Sequence, residues 1–152
     1  MSLIVADAMV RDLVTIESMQ SGIDAAEKMC QHSVSSLLVF SENNLVGIVT
    51  MRDIVQKLVV KGIQPEKARV VDIMNTPFIV VNSEMPLTKA ANIMIKEKIK
   101  KLPVIYPDSN KTRLVGLLTL TDIARLHPGI YEGVRRTEID QTFHHEAINM
   151  IV

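Results

Sequence analysis

A single cysteine, Cys30, excludes a disulfide within the chain. It falls in an apolar helical stripe and reads as a core residue rather than a reactive thiol. Tryptophan is absent, and the five aromatics, Phe40, Phe78, Tyr106, Tyr131 and Phe143, are too scattered to form a base-stacking platform. Excess charge is missing as well. The 17 basic residues balance the 17 acidic ones, which removes a sequence-independent grip on nucleic-acid phosphates. No apolar run approaches a membrane span, and no basic segment precedes an apolar stretch at the N-terminus. The expectation is a cytoplasmic protein with neither nucleic acid nor membrane as partner. At 152 residues, 47% apolar and 22% charged, the chain is globular, with room for one core or two small ones.

What the chain does contain, it contains twice. Val46-Gly47-Ile48-Val49-Thr50-Met51-Arg52-Asp53-Ile54 returns sixty-nine positions later as Val115-Gly116-Leu117-Leu118-Thr119-Leu120-Thr121-Asp122-Ile123. Both copies run an apolar strand into Thr-x-x-Asp at the start of a helical pattern. A hydroxyl and a carboxylate therefore share one strand-to-helix corner in each copy, which suggests a small-molecule site. Upstream, Val5-Ala6-Asp7-Ala8-Met9 matches Val70-Val71-Asp72-Ile73-Met74, and Ala25-Ala26 matches Ala90-Ala91, at a spacing of sixty-five. The change of spacing falls in a polar stretch, Ser41–Asn44 in the first copy and the longer Tyr106–Arg113 in the second. That is a hairpin loop of variable length.

Each copy reads as strand, helix, strand, strand, helix. In the first, Leu13–Ile16 is a strand, and Ser21-Gly22-Ile23-Asp24 is a capping box. The helix it opens carries Ile23, Ala26, Met29 and Cys30 on its inward face. Leu37–Phe40 and Leu45–Thr50 are strands joined at Asn43-Asn44, and a helix over Asp53–Lys61 stops at Gly62. The second copy gives strand Phe78–Val81, a helix from Pro86 or Leu87 to Lys98, strands Leu102–Ile105 and Leu114–Thr119, and a helix from Leu120. Residues 1–61 and 70–127 form the two copies, 62–69 a polar linker and 128–152 an extension. The paired alanines allow close helix approach, and neither copy would bury enough surface alone.

Two βαββα repeats, each opening with Val-x-Asp-x-Met and closing with Gly-φ-φ-Thr-x-x-Asp-Ile (φ apolar), resemble a tandem pair of CBS domains, or Bateman module. Lys101-Leu102-Pro103-Val104 adds to the likeness. The resemblance implies an α/β (α+β) fold of two repeats packed with pseudo-two-fold symmetry, in a stand-alone CBS-pair protein. It is similar to the regulatory parts of AMP-activated kinase gamma subunits, inosine monophosphate dehydrogenases and chloride channels. It implies a cleft for AMP, ADP, ATP or S-adenosylmethionine, and a homodimer shaped as a flat disc.

Such a ligand needs acceptors for its ribose hydroxyls, an apolar slot for adenine and positive charge for phosphate. Asp122 and Asp53 each offer a carboxylate able to take both hydroxyls. Thr119 and Thr50 add hydroxyl contacts, and Leu117, Val80 and Ile48 can flank the base. Lys100 and Lys101 occupy positions where family members often face phosphate, whereas the first copy has Ser35 and Ser36. By the family's geometry Arg52 serves the Asp122 cleft and Thr121 the Asp53 cleft. The main cleft is thus expected to hold Thr119, Asp122, Lys100, Lys101, Arg52, Leu117, Val80 and Thr121. A second would hold Thr50, Asp53, Ser35, Ser36, Thr15 and Ile48. The plainer alternatives are that each Asp only caps its helix and that the lysines are a solvated charge run.

His144-His145-Glu146 invites a metal, but neighbouring side chains on a helix point about 100° apart and do not readily clamp one ion. Phe143, Ile148, Met150 and Ile151 suit a packing or subunit contact better. No Ser-His-Asp or Cys-His constellation, Walker loop or Rossmann glycine pattern is evident, and the corner carboxylates lie in separate copies. The expectation is a non-enzymatic regulatory module without cofactor or metal, signalling to a partner protein or across a dimer. The alternative is a dimerisation scaffold whose clefts are empty or hold something else.

Overall fold

A computed structural model describes residues 2–76, 79–108, 112–133 and 136. The element order is α1 (Val5–Ala8), β1 (Thr15–Glu17), α2 (Gly22–His32), β2 (Ser36–Ser41), β3 (Asn44–Thr50), α3 (Met51–Ile54), α4 (Val70–Ile73), β4 (Val81–Asn82), α5 (Leu87–Glu97), β5 (Lys101–Pro107), β6 (Thr112–Thr119) and α6 (Leu120–Leu126). A π-helical turn, Val55–Val59, prolongs α3, and a 3-10 turn, Pro65–Lys67, precedes α4. The result is an α+β fold with two three-stranded sheets, ordered β1-β2-β3 and β4-β5-β6. In each, the first pair is parallel and the second antiparallel, with a register shift at Val39/Phe40 and at its counterpart Val104/Ile105.

The compact units cut across the sequence copies. One joins the chain up to Arg11 to the chain from Ile79 onward, and the other is the stretch Asp12–Phe78. Each opening segment therefore docks on the other copy's hairpin. In the unit containing β1–β3, Val70 N donates to Gln20 O at 2.8 Å, Val71 N to Ser18 O at 2.9 Å and Asn75 N to Ile48 O at 2.8 Å. In the other unit, Val5 N donates to Met85 O, Ala6 N to Ser83 O and Val10 N to Leu117 O, each at 2.9 Å. These are the same bonds at equivalent positions. The closing glycine explains the fit. A Cβ on Gly47 would lie 2.7 Å from the Met74 sulfur, and one on Gly116 would lie 2.6 Å from that of Met9. Only a residue without a side chain lets the Val-x-Asp-x-Met segment lie this close.

Each unit has its own core. Ile16, Ala25, Met29, Leu37, Val39, Val49, Leu58, Val70 and Ile73 form one. Val5, Val81, Leu87, Ala90, Met94, Leu102, Val104, Leu118 and Ile123 belong to the other. Fully burying a Val, Leu, Ile or Met among them stabilises by about 1.5–3 kcal/mol. The opening valines, Val5 and Val70, are wholly buried, so the exchanged segments are part of each core.

Several expected elements move. β1 begins two residues later than the run Leu13–Ile16, its first pairing with β2 being Thr15 against Leu38. The first hairpin turns at Glu42 and Asn43, with φ of 49° and 67°, so Asn44 opens β3 instead of sharing the turn. Two consecutive positive φ values match the strand twist of a two-residue hairpin. The helix expected from Asp53 starts at Met51, because Thr50 caps it. β4 is only Val81–Asn82, and Phe78 lies outside the described residues. The polar stretch 62–69 is not a bare linker: Pro65–Lys67 forms its turn, and Ala68 packs into the core. Cys30, expected in a core, is exposed. The buried face of α2 is Gly22, Ala25 and Met29, and one residue further on turns the side chain about 100° away. Of the extension, 128–133 is helical, while Phe143, His144, His145, Glu146, Ile148, Met150 and Ile151 lie outside the described residues.

Candidate functional site

Both Thr-x-x-Asp corners fold as capping boxes. The Thr50 hydroxyl accepts from Asp53 N at 3.2 Å, and the Asp53 carboxylate accepts from Thr50 N at 2.8 Å. In the second copy, Thr119 Oγ1 accepts from Asp122 N at 3.2 Å, and Asp122 Oδ2 accepts from Thr119 N at 3.2 Å. This satisfies two amide donors that a helix start leaves unpaired. The signature matches Ser21-x-x-Asp24, where the same reciprocal bonds measure 3.2 and 3.1 Å. Capping is thus real at both corners, and the question is what the carboxylates can do besides.

They differ sharply. Asp53 is 5% exposed. Its Oδ2 also accepts from Thr50 Oγ1 at 2.9 Å and from Asn75 Nδ2 at 2.7 Å, while Lys57 Nζ lies 3.1 Å from Oδ1. Lys57 is fixed in turn by Ile73 O at 2.7 Å. Asp122 is only half-buried. Its contacts among the described residues run to Thr119 alone, the shortest being Thr119 Oγ1 to Oδ2 at 2.6 Å. All of them use one oxygen. The other carries two lone pairs, enough to accept from two neighbouring hydroxyls.

The structure gathers most of the expected partners of Asp122 around its corner. Lys101 is paired with Thr119 across β5 and β6, and Lys100 O accepts from Leu120 N at 2.9 Å. Leu117, two residues before Thr119, is half-buried and hydrogen-bonded to the main chain of Val10. Thr121 is exposed on the first turn of α6, and Val80 is exposed just before β4. Arg52 belongs to the other unit, exposed on the first turn of α3. With the Gln56 amide turned to suit, its Nε and Nη2 donate to that side chain at 3.0 and 3.2 Å. Around Asp53, Ser36 pairs with Thr50 and Ser35 O accepts from Met51 N. Ile48 is buried, and Thr15 is exposed on β1.

Asn75 and Lys57 were not among the expected site residues. A signal existed: the copies disagree there. Asn75 answers to Val10 at the sixty-five spacing, and Lys57 to Leu126 at the sixty-nine spacing. Polar against apolar within an otherwise faithful repeat marks a place where two corners diverge in chemistry.

A family model described as CBS domain matches residues 5–60 and again 70–129. The chain belongs to the CBS-domain family. It is a tandem CBS pair. An uncharacterised protein of Methanopyrus kandleri is 33% identical over 119 residues, covering 78% of this chain and 59% of the relative. The CBS pair therefore spans little more than half of that protein's length. The CBS domain-containing protein YhcV of Bacillus subtilis is 30% identical over 120 residues, covering 79% of this chain and 82% of YhcV. A solved CBS domain pair, that of protein MJ0100 in complex with 5′-methylthioadenosine and S-adenosyl-L-methionine, superposes with a TM-score of 0.73 at 29% identity. The match covers 85% of this chain and 98% of that one. Among the described residues no helix is long and apolar enough to cross a membrane, and no His/Cys/Asp/Glu group could hold a metal ion.

Proposed function

We propose that this CBS pair is a regulatory module that takes an adenosine-containing small molecule, AMP, ADP, ATP or S-adenosylmethionine, at the Thr119–Asp122 corner. The observation that carries this reading is the half-buried Asp122 carboxylate, held by Thr119 through one oxygen only. A ribose presents two adjacent hydroxyl donors, which a carboxylate accepts in a charge-assisted pair. Leu117 offers apolar surface for the base, and Lys100 and Lys101 at the same corner favour a phosphate or carboxylate group. The likeness to a solved pair holding 5′-methylthioadenosine and S-adenosyl-L-methionine supports an adenosine ligand. The module itself performs no chemistry in this reading. Ligand shifts its conformational equilibrium by its differential affinity for two arrangements, and a second copy or an effector protein senses the change.

The test is calorimetry with the four ligands on the wild type, Asp122→Ala and Asp53→Ala. Binding lost in Asp122→Ala and retained in folded Asp53→Ala is the expected result. At a ligand concentration a hundredfold above Kd, binding stabilises the folded state by about 2.7 kcal/mol, so melting temperature rises in parallel. Loss in Asp53→Ala alone would overturn the assignment. No shift with any ligand at millimolar concentration would favour a dimerisation scaffold instead.

A further inference from the structure

The two corners share a backbone but not an electrostatic state. At Asp53 four donors converge on the carboxylate: Thr50 N, Thr50 Oγ1, Asn75 Nδ2 and Lys57 Nζ, all within 3.1 Å. Three of them crowd Oδ2 and the ammonium takes Oδ1, so both oxygens are already engaged. Lys57 neutralises the charge and is itself held by Ile73 O at 2.7 Å and Asn75 Oδ1 at 3.4 Å. Asn75 is pinned by two main-chain bonds to Ile48, N to O at 2.8 Å and O to N at 3.3 Å. The matching positions at the other corner are Val10 and Leu126, whose side chains carry no donor, leaving the Val10 main chain. That main chain makes the same two-bond bridge, to Leu117. The backbone scaffold is duplicated, and the plug is present in one copy only.

We propose that Lys57 and Asn75 occupy the first corner in place of a ligand, so that the chain takes one ligand molecule, at Asp122. This rests on the adenosine-binding reading above and adds its stoichiometry and the residues that set it. An incoming diol at Asp53 would have to displace an amide and an ammonium already bonded to a carboxylate that is 5% exposed. Each exchange trades a charge-assisted bond for another of similar strength, with no net gain to bring the ligand in. At Asp122 the second oxygen accepts the diol without displacing any protein group described there. Lys57 and Asn75 are thus specificity-determining residues, acting by closing one of two otherwise equivalent corners.

Two double variants test it, with S-adenosylmethionine, AMP, ADP and ATP as probes in calorimetry. Wild type should bind one molecule per chain. Val10→Asn with Leu126→Lys installs the plug at the second corner, on side chains 42% and 43% exposed where the fold tolerates exchange, and should abolish binding. Lys57→Leu with Asn75→Val removes it from the first and should raise the stoichiometry to two. Two molecules on the wild type, or full affinity in a folded Val10→Asn/Leu126→Lys variant, would overturn the closure while leaving adenosine binding intact. A chain that binds none of the probes in any form would overturn both.

Discussion

Replacing Asp53 by alanine should destabilise the fold far more than replacing Asp122, although both stand in the same motif. Truncating Asp53 removes the acceptor of Thr50 N, Thr50 Oγ1 and Asn75 Nδ2 and the counter-charge of Lys57, in a corner where the carboxylate side chain is 7% exposed. Removing one member of a buried ion pair costs about 3–5 kcal/mol. The Lys57 side chain is 34% exposed and keeps Ile73 O, so water and that carbonyl recover part of the loss. The lower end, about 3 kcal/mol, is the expected cost. Truncating Asp122 removes half of a capping box, worth about 1 kcal/mol. For a chain of this size each kcal/mol moves the melting temperature by about 2–4 °C. Ligand-free Asp53→Ala should therefore melt about 6–12 °C below wild type, and Asp122→Ala about 2–4 °C below. Thermal scans and urea titrations followed by circular dichroism measure both. Equal losses, or an Asp53→Ala chain as stable as wild type, would refute the claim that Asp53 is spent on the fold.

Other consequences are as open to measurement. Gly116→Ala places a methyl 2.6 Å from the Met9 sulfur and 3.0 Å from Val10 O, and the carbonyl cannot swing aside because it accepts from Leu117 N. A cost of about 1–3 kcal/mol in urea unfolding is expected, and an unchanged midpoint would mean that the opening segment does not sit on that glycine in solution. Met51, Val55 and Val59, spaced four apart along one helical stretch, are 53%, 51% and 64% exposed. The family resemblance implies a homodimer, and with this stripe as its contact Val55→Lys with Val59→Lys should convert a dimer to a monomer in light scattering. A wild-type monomer at micromolar concentration would remove the basis for the dimer.

Much of the architecture was legible in the residues because it is local. The hairpins follow from apolar runs around short polar turns, and the Ser21 capping box from hydrogen bonds spanning three residues. The helix start at Met51 was legible in principle too, since Thr50-x-x-Asp53 repeats the Ser21-x-x-Asp24 pattern. Capping stands in the residues as the plainer alternative to a ligand corner, and the reciprocal bonds make it real at both. Cys30 shows the limit of periodicity. It neighbours the buried Met29, but one position further around a helix turned it from core to solvent.

The sequence by itself determined that the chain is built from two copies of one unit, each with a Thr-Asp corner, and that the copies differ in charge around it. Those properties are carried by residue identity and short spacings. Only the tertiary structure decided which opening segment docks on which hairpin, because backbone pairing at a separation of tens of residues leaves no local trace. That exchange brings Asn75 to Asp53 and Val10 to the second corner. It therefore also decides which of two matching carboxylates the fold consumes and which it leaves with an oxygen to offer.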